Sequence, residues 1–255
     1  MSITFDLHTH TRESDGKSLL SENIDSARQL GIGLGTSDHG PGHPWFGIRK
    51  NRIDSQKQQI QAAQQHSTLP LLQGLEANLV SRDGGNDLQG VPPLDYVLLG
   101  HHKGTLPFSF FPTWLLILNR SNPQKARTVM TDASIAAMSD GRIDAITHPG
   151  AYVPVHMDAL ARAAAQQGVL IEINQRHPLP VQDARLARQA GATFLLSSDA
   201  HLCTRIGQVD QAWAVAREAG IAEEHIVNSP AYRWDREIRL HRLKERLCRA
   251  ASLGR

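Results

Sequence analysis

Short apolar runs recur along the chain, and most are followed by a stretch with helical spacing. The runs fall at 3–5, 32–37, 69–75, 95–99, 143–147, 169–173 and 193–197. Their length and their β-branched and aliphatic content read as strands. The intervening stretches read as helices at 21–30, 51–65, 122–139, 157–167, 183–190 and 206–219, with a last one at about 230–251. Ser21 is the expected N-cap of the first helix. Ile24, Ala27 and Leu30 form its apolar face and Gly31 stops it. Pro123 suits a first helical turn, and Gly168 ends the helix before it.

Strand–helix alternation implies βαβ units and a parallel sheet. Runs such as Tyr96-Val97-Leu98-Leu99 and Val169-Leu170-Ile171 are apolar throughout, as strands covered on both faces are. Seven such units favour an α/β fold closed, or nearly closed, into a barrel. No linker, repeat or low-complexity tract interrupts the pattern, so one domain over 1–255 is expected, the barrel taking about 1–230.

The residues that end the strands change the picture. His8 and His10, His39, Glu76, His102, His148, and Asp199 with His201 all fall at the C-terminal ends of expected strands. In a parallel barrel these ends converge on one mouth, where active sites lie. His8 and His10 are two residues apart on an extended chain, so both imidazoles can face one cavity. Turn-forming residues are common after strands, but that accounts for one or two such positions, and six of the seven strands end this way.

Bulk properties narrow the class. The chain has 255 residues, 40% of them hydrophobic and 20% charged, and a net charge of +2. So small a charge gives no argument for nucleic acid or an anionic membrane. Thirteen histidines are a surplus that calls for a reason. Two cysteines, Cys203 and Cys248, make no disulfide framework and suit a reducing compartment. No basic-then-apolar signal precedes His8, and the most apolar run, 114–118, is too short to span a bilayer. A cytoplasmic location is the expectation.

The segments Asp6-Leu7-His8-Thr9-His10-Thr11, Ser37-Asp38-His39-Gly40-Pro41, Gly74-Leu75-Glu76-Ala77-Asn78, Gly100-His101-His102, Thr147-His148-Pro149-Gly150, Glu172-Ile173-Asn174 and Ser198-Asp199-Ala200-His201 occur in this order. As an ordered set they resemble the PHP superfamily (polymerase and histidinol phosphatase domains), and within it the YcdX-type bacterial phosphatases. The resemblance implies a distorted (β/α)7 barrel, TIM-like, with a trinuclear metal centre at the C-terminal ends of the strands. It implies that His8, His10, Glu76 and Asp199 hold a first metal. Glu76 bridges to a second, completed by His102 and His148, with the Gly-x-His pattern selecting His102 over His101. Asp15, His39 and His201 hold the third. The YcdX-type proteins carry a histidine one residue after Asp15, where this chain has Gly16. That departure predicts a third site of weaker affinity or different metal.

Imidazoles and carboxylates without thiolate suit two to three ions of zinc, manganese or iron. A shared carboxylate would hold two metals about 3.5–4 Å apart, the spacing of two-metal hydrolases. The implied reaction is metal-dependent hydrolysis of a small phosphate monoester by a metal-bridging hydroxide, with Glu76, Asp199 and Arg176 in catalytic roles. Arg176, Arg205 and His43 are the candidate substrate contacts, with Lys103 a further anion contact; guanidinium forks suit phosphate. Asp6 and Asp38 precede ligand positions and could orient imidazoles or serve strand-end hydrogen bonding. Cys203 reads as structural or incidental. The apolar segment 106–118 departs from the matching YcdX-type loop and reads as an extra helix on the barrel, a homo-oligomer contact or a lid. Competing readings are a phosphodiesterase or nucleotide-processing enzyme, a histidinol-phosphate-type phosphatase, an amidohydrolase-type enzyme and a non-catalytic PHP scaffold.

Overall fold

A computed structural model describes residues 2–105 and 107–234. Seven strands pair in parallel, each with the next in sequence: β1 (Phe5–Asp6), β2 (Gly33–Thr36), β3 (Leu71–Asn78), β4 (Tyr96–Gly100), β5 (Ala145–Ile146), β6 (Leu170–Asn174) and β7 (Phe194–Ser197). Seven α-helices interleave with them among the described residues: α1 (Leu20–Leu30), α2 (Lys50–Gln64), α3 (Phe111–Ser121), α4 (Pro123–Ala137), α5 (Met157–Gln167), α6 (Val181–Gln189) and α7 (Asp210–Glu218). The architecture is the expected (β/α)7, TIM-like barrel.

Alternation along the strands places the chemistry. On β4, Tyr96 and Leu98 join the cluster of Phe5, Leu7, Leu72, Leu170 and Leu195 that fills the lumen. Val97 and Leu99 face outward into the larger cluster under the helices. The same period of two puts Glu76 and Asn78 above Leu72 on β3, and Glu172 and Asn174 above Leu170 on β6. All are fully buried. Tyr96 forms the floor beneath them, its hydroxyl within hydrogen-bond reach of the carbonyls of Leu7 (2.7 Å) and Thr36 (2.8 Å). Gly74 and Gly35 leave the room its ring needs, since a Cβ at either would collide with it.

Between β7 and β1 the barrel closes in two ways. At the mouth, the His10 N–H donates to the Ala200 carbonyl (2.8 Å) and the Ala200 N–H to that of His8 (3.1 Å). Lower down the strands are bridged by residues 226–228. The Asn228 amide donates to Phe5 O (2.9 Å) and Leu196 O (2.7 Å), and its Oδ1 accepts from Leu196 N–H (3.1 Å). One side chain thus stands in for the missing ladder.

Several boundaries differ from expectation. The α1 cap is Leu19, not Ser21: the Glu22 carboxylate accepts the Leu19 N–H at 2.6 Å, satisfying an orphan donor as a capping-box glutamate does. Pro123 opens α4 as expected. α7 begins at Asp210 rather than 206, because residues 203–205 form a short 3-10 turn and Val209 is extended in φ. The segment 106–118 contributes α3, which packs on α4. Leu115 and Pro112 of α3 are buried, whereas Phe110 and Ile117 remain 55% and 54% exposed. Residues 231–234 are not helical, and the rest of the helix expected at 230–251, with Cys248, lies outside the described residues. Among the described residues no helix is long and apolar enough to cross a membrane.

Candidate metal centre

Glu76, at the inward face of β3, is the hub. Its Oε1 lies 2.8 Å from His148 Nε2 and 3.0 Å from His102 Nε2. Its Oε2 lies 2.9 Å from His39 Nδ1, 3.5 Å from His8 Nε2 and 3.8 Å from His10 Nε2. Asp199 Oδ1 is 3.4 Å from both His10 Nε2 and His201 Nδ1, and 3.8 Å from His8 Nε2. Asp15 Oδ2 is 3.0 Å from His201 Nε2 and 3.6 Å from His39 Nε2. The nine side chains singled out as ligands therefore share one cluster, though they span residues 8 to 201. His101 points elsewhere, its Nε2 3.3 Å from Pro112 O, so the geometry sets His102 against Glu76.

The cluster has donors that could hold cations. Three donor groups could each hold an ion: His10, Asp15, His39 and His201; His8, His10 and Glu76; and His39, Glu76 and His102. Buried polar atoms in proteins are nearly always hydrogen-bonded, and an unpaired one costs free energy. Here His8 Nε2, both ring nitrogens of His10, Asp15 Oδ1, His39 Nδ1 and Glu76 Oε2 are all buried without a hydrogen bond. The close approach of His39 Nδ1 to Glu76 Oε2 lacks the alignment of one. A donor set of imidazoles and carboxylates, without thiolate, fits divalent zinc, manganese or iron.

Charge balance agrees. Burial works to raise Glu76, but His102, His8 and His39 hold it well below the usual carboxylate range. Asp199 and Asp15 are likewise held low against burial, by His8 and His10 and by His201 and His39. Burial opposes charge on His39, yet Glu76 and Asp15 raise it to about 10. For His102 burial outweighs the pull of Glu76 and lowers it to about 3.

Two non-glycine residues among those described have positive φ, His148 (29°) and Asp199 (51°). This region is disfavoured for residues with a Cβ and is kept where surrounding contacts enforce it. Both residues are in the cluster. Gly16 is held for a simpler reason: a Cβ there would stand 2.5 Å from the carbonyl carbon of His10. The position after Asp15 has no room for a side chain, and Asp15 itself faces the cluster.

Glu172 belongs to the site although sequence reasoning gave it no role. Its Oε1 accepts from His8 Nδ1 and Ser197 Oγ, each at 2.6 Å. Its Oε2 accepts from the His148 N–H (2.7 Å), Asn174 Nδ2 (3.1 Å) and the Thr147 hydroxyl. Fixing Nδ1 of His8 leaves Nε2 to face the cluster. Asn78 does the same for His102, its Oδ1 accepting from Nδ1 at 2.9 Å, and Asp87 holds Asn78 in turn (2.6 Å). The signal for Glu172 was a lone acid in an apolar strand, Leu170-Ile171-Glu172-Ile173. Asp6 and Asp38 hydrogen-bond to no imidazole. Asp6 accepts from Ser198 and Gly207, and Asp38 from Thr11, Ser14 and Gln56, which fixes the strand-end loops.

Above the cluster is a cavity of about 130 Å³. Arg176, His177, Tyr152, Lys103, His43 and Phe46 form its rim. Arg176 Nη1 lies 2.7 Å from His201 Nδ1 and 3.3 Å from Asp199 Oδ1. His43 lines the cavity, but both its nitrogens are taken by backbone: Nδ1 accepts the Phe46 N–H (3.1 Å) and Nε2 donates to Lys103 O (2.9 Å). A phosphate contact through them is thus not available. Arg205 lies outside this cavity. It lines an adjoining groove that also includes Arg176, Asp199 and His201, and its Nη1 donates to Gln208. Cys203 is half-buried and free, its N–H donating to Ser18 Oγ.

Fold and donor set define a class: a (β/α)7 barrel whose mouth could hold divalent ions. No family model matches the chain. It is 30% identical over 251 residues to a probable phosphatase of Shewanella sp. (strain W3-18-1), covering 89% of this chain and 88% of the relative. It is also 30% identical over 248 residues to a probable phosphatase of Shewanella sediminis (strain HAW-EB3), covering 89% and 90%. The chain belongs to the family of these probable phosphatases. Among solved structures it resembles histidinol phosphate phosphatase of Lactococcus lactis subsp. lactis Il1403, complexed with zinc, L-histidinol and phosphate. The TM-score is 0.63 at 17% identity, over 86% of this chain and 94% of that one. A putative histidinol phosphatase of Listeria monocytogenes gives 0.61 at 14%, over 80% and 97%. These two likenesses show the fold.

Proposed function

We propose that this protein is a metal-dependent phosphomonoesterase of the PHP superfamily, YcdX-type, using two to three divalent ions at the barrel mouth. The observation that carries the reading is the Glu76 carboxylate, buried within 3.8 Å of five imidazoles, with acceptors and ring nitrogens left unpaired around it. His8, His10, Glu76 and Asp199 would hold a first ion, Glu76, His102 and His148 a second, and Asp15, His39 and His201 a third. Ions bound there supply Lewis acidity to a phosphoryl group and activate water at neutral pH.

The chain's own residues do the rest. Glu172 and Asn78 orient His8 and His102, so the donors need little reorganisation. Arg176, half-exposed on the rim with Nη1 against Asp199 and His201, would turn its remaining N–H donors to phosphate oxygens. Lys103 adds positive charge at the entrance. The names of the curated relatives support the phosphatase reading. An amidohydrolase-type site would place a lysine at the bridging position, where this chain has Glu76. A non-catalytic scaffold has no need of a complete ligand set.

The test is a panel of phosphate mono- and diesters assayed with zinc, manganese and iron. Monoester hydrolysis that depends on metal is expected. Hydrolysis confined to diesters, or undiminished after chelation, would overturn the proposal.

A further inference from the structure

The rim carries a feature that phosphate chemistry does not require. Phe46 lines the cavity and is 49% exposed, and Trp45 beside it is 81% exposed. The Phe46 ring lies parallel on the His43 ring, 4.9 Å between centroids and 27° between planes. The shelf is built rather than loose. His43 is buried and tied at both nitrogens to Phe46 N–H and Lys103 O. Its loop is anchored where the Gly42 N–H donates to Asp87 Oδ2 at 2.8 Å, the same carboxylate that holds Asn78 behind His102. Gly40 and Gly42 allow this approach, since a Cβ at either would run into the Asp87 carboxylate.

Phe46 follows β2, whereas Tyr152 and His177 follow β5 and β6 on the other side of a seven-stranded barrel. Their rings, 5.7 Å apart, line the same cavity. The entrance to the metal cluster therefore has aromatic side chains on both sides. The cationic groups of the lining are Lys103 and Arg176; its carboxylates, Asp15, Glu76 and Asp199, belong to the cluster whose charge bound ions would offset. With ions in the cluster, Lys103 and Arg176 attract the phosphate and repel an ammonium on the group it is attached to.

We propose that Phe46, backed by His43, is a specificity-determining residue that stacks the leaving group, and that the substrates are phosphate monoesters of alcohols carrying an uncharged flat ring. This rests on the phosphatase reading of the same mouth. Ring stacking selects flat over puckered rings of equal size, because offset stacking adds to the burial of area.

The test uses non-hydrolysable phosphonates on the zinc-loaded full chain, with calorimetric binding as readout. Benzylphosphonate should bind about fivefold more tightly than cyclohexylmethylphosphonate, and Phe46→Leu, which keeps apolar bulk without a ring, should bring the ratio close to one. A 4-(aminomethyl) group on the benzyl ring should weaken binding. Equal affinity for the two rings in the unaltered protein, a preference that survives Phe46→Leu, or no penalty for the ammonium would overturn the proposal. Separate assay of benzyl phosphate hydrolysis tests the phosphatase reading itself, so selective binding without turnover would count against that reading and not against the shelf.

Discussion

Glu172 accepts five hydrogen bonds, including one from His8 Nδ1 and one from the backbone of His148. It therefore sets the direction of two residues of the cluster, His8 and His148. Glu172→Gln keeps the shape but puts a donor where every partner donates. Metal affinity is expected to fall roughly ten- to a hundredfold, as losses behind metal ligands do, which competition with a chromophoric chelator would measure. Acid stability gives a second reading of the same carboxylate. Burial works to raise its pKa, but His8 and the hydrogen bonds hold it at about 2, below its ordinary 4.5. A lowered pKa means the contribution to stability is complete above about 4.5 and is lost as pH falls to about 2. In the metal-free protein, stability measured by denaturant titration should decline over that window, and less steeply in Glu172→Gln. Residue-level legibility was uneven for a physical reason. Most candidate ligands are histidines, which stand out after an apolar run, and Glu76 is an acid in the apolar β3. Glu172 and Asn78 act through hydrogen bonds to His8 and His102, partners that only the closed barrel brings to them.

At the scale of elements, the seam between β7 and β1 depends on Asn228. Three hydrogen bonds from one buried amide join Phe5 and Leu196 across the gap. Asn228→Ala would leave two carbonyls and one N–H without partners. The expected cost is about 3 kcal/mol, lowering Tm by roughly 10 °C, measurable by thermal melting. An unchanged Tm would show that other contacts close the seam. Sequence patterning gave no hint of this piece, because Ile226-Val227 is too short a run to read as a strand and asparagine reads as a turn. The α1 cap was missed similarly, since Leu19 has no capping side chain and the acceptor comes from Glu22, three residues on. Strand positions were legible, because a strand buried on both faces must be apolar through its length. β1 and β5 shorten to two residues each, and at the mouth the chain after β1 bonds to Ala200 as well.

At the scale of the molecule, the barrel brings residues from opposite ends of the sequence to one mouth. Asp199 and His201 meet His8 and His10 because Ala200 pairs with Thr9 across the closing seam. That the nine candidate ligands share one mouth was legible from residue type and strand rhythm, while their assignment to individual ions is what the resemblance implies. The rim was less legible. Whether His43 offers a nitrogen or a face depends on the partners of its ring, and those come from a backbone carbonyl sixty residues away. In the proposed reaction Glu76 links metal binding and phosphate release in one site. The most direct measurement is metal content and phosphate release, from one phosphomonoester and in the same preparations, for the unaltered chain and Glu76→Gln. Two to three ions per chain with turnover are expected for the first, and loss of at least one ion with turnover at least a thousandfold lower, on the order of 4 kcal/mol in the barrier, for the second. Full turnover in Glu76→Gln, or in a preparation stripped of metal, would contradict the account.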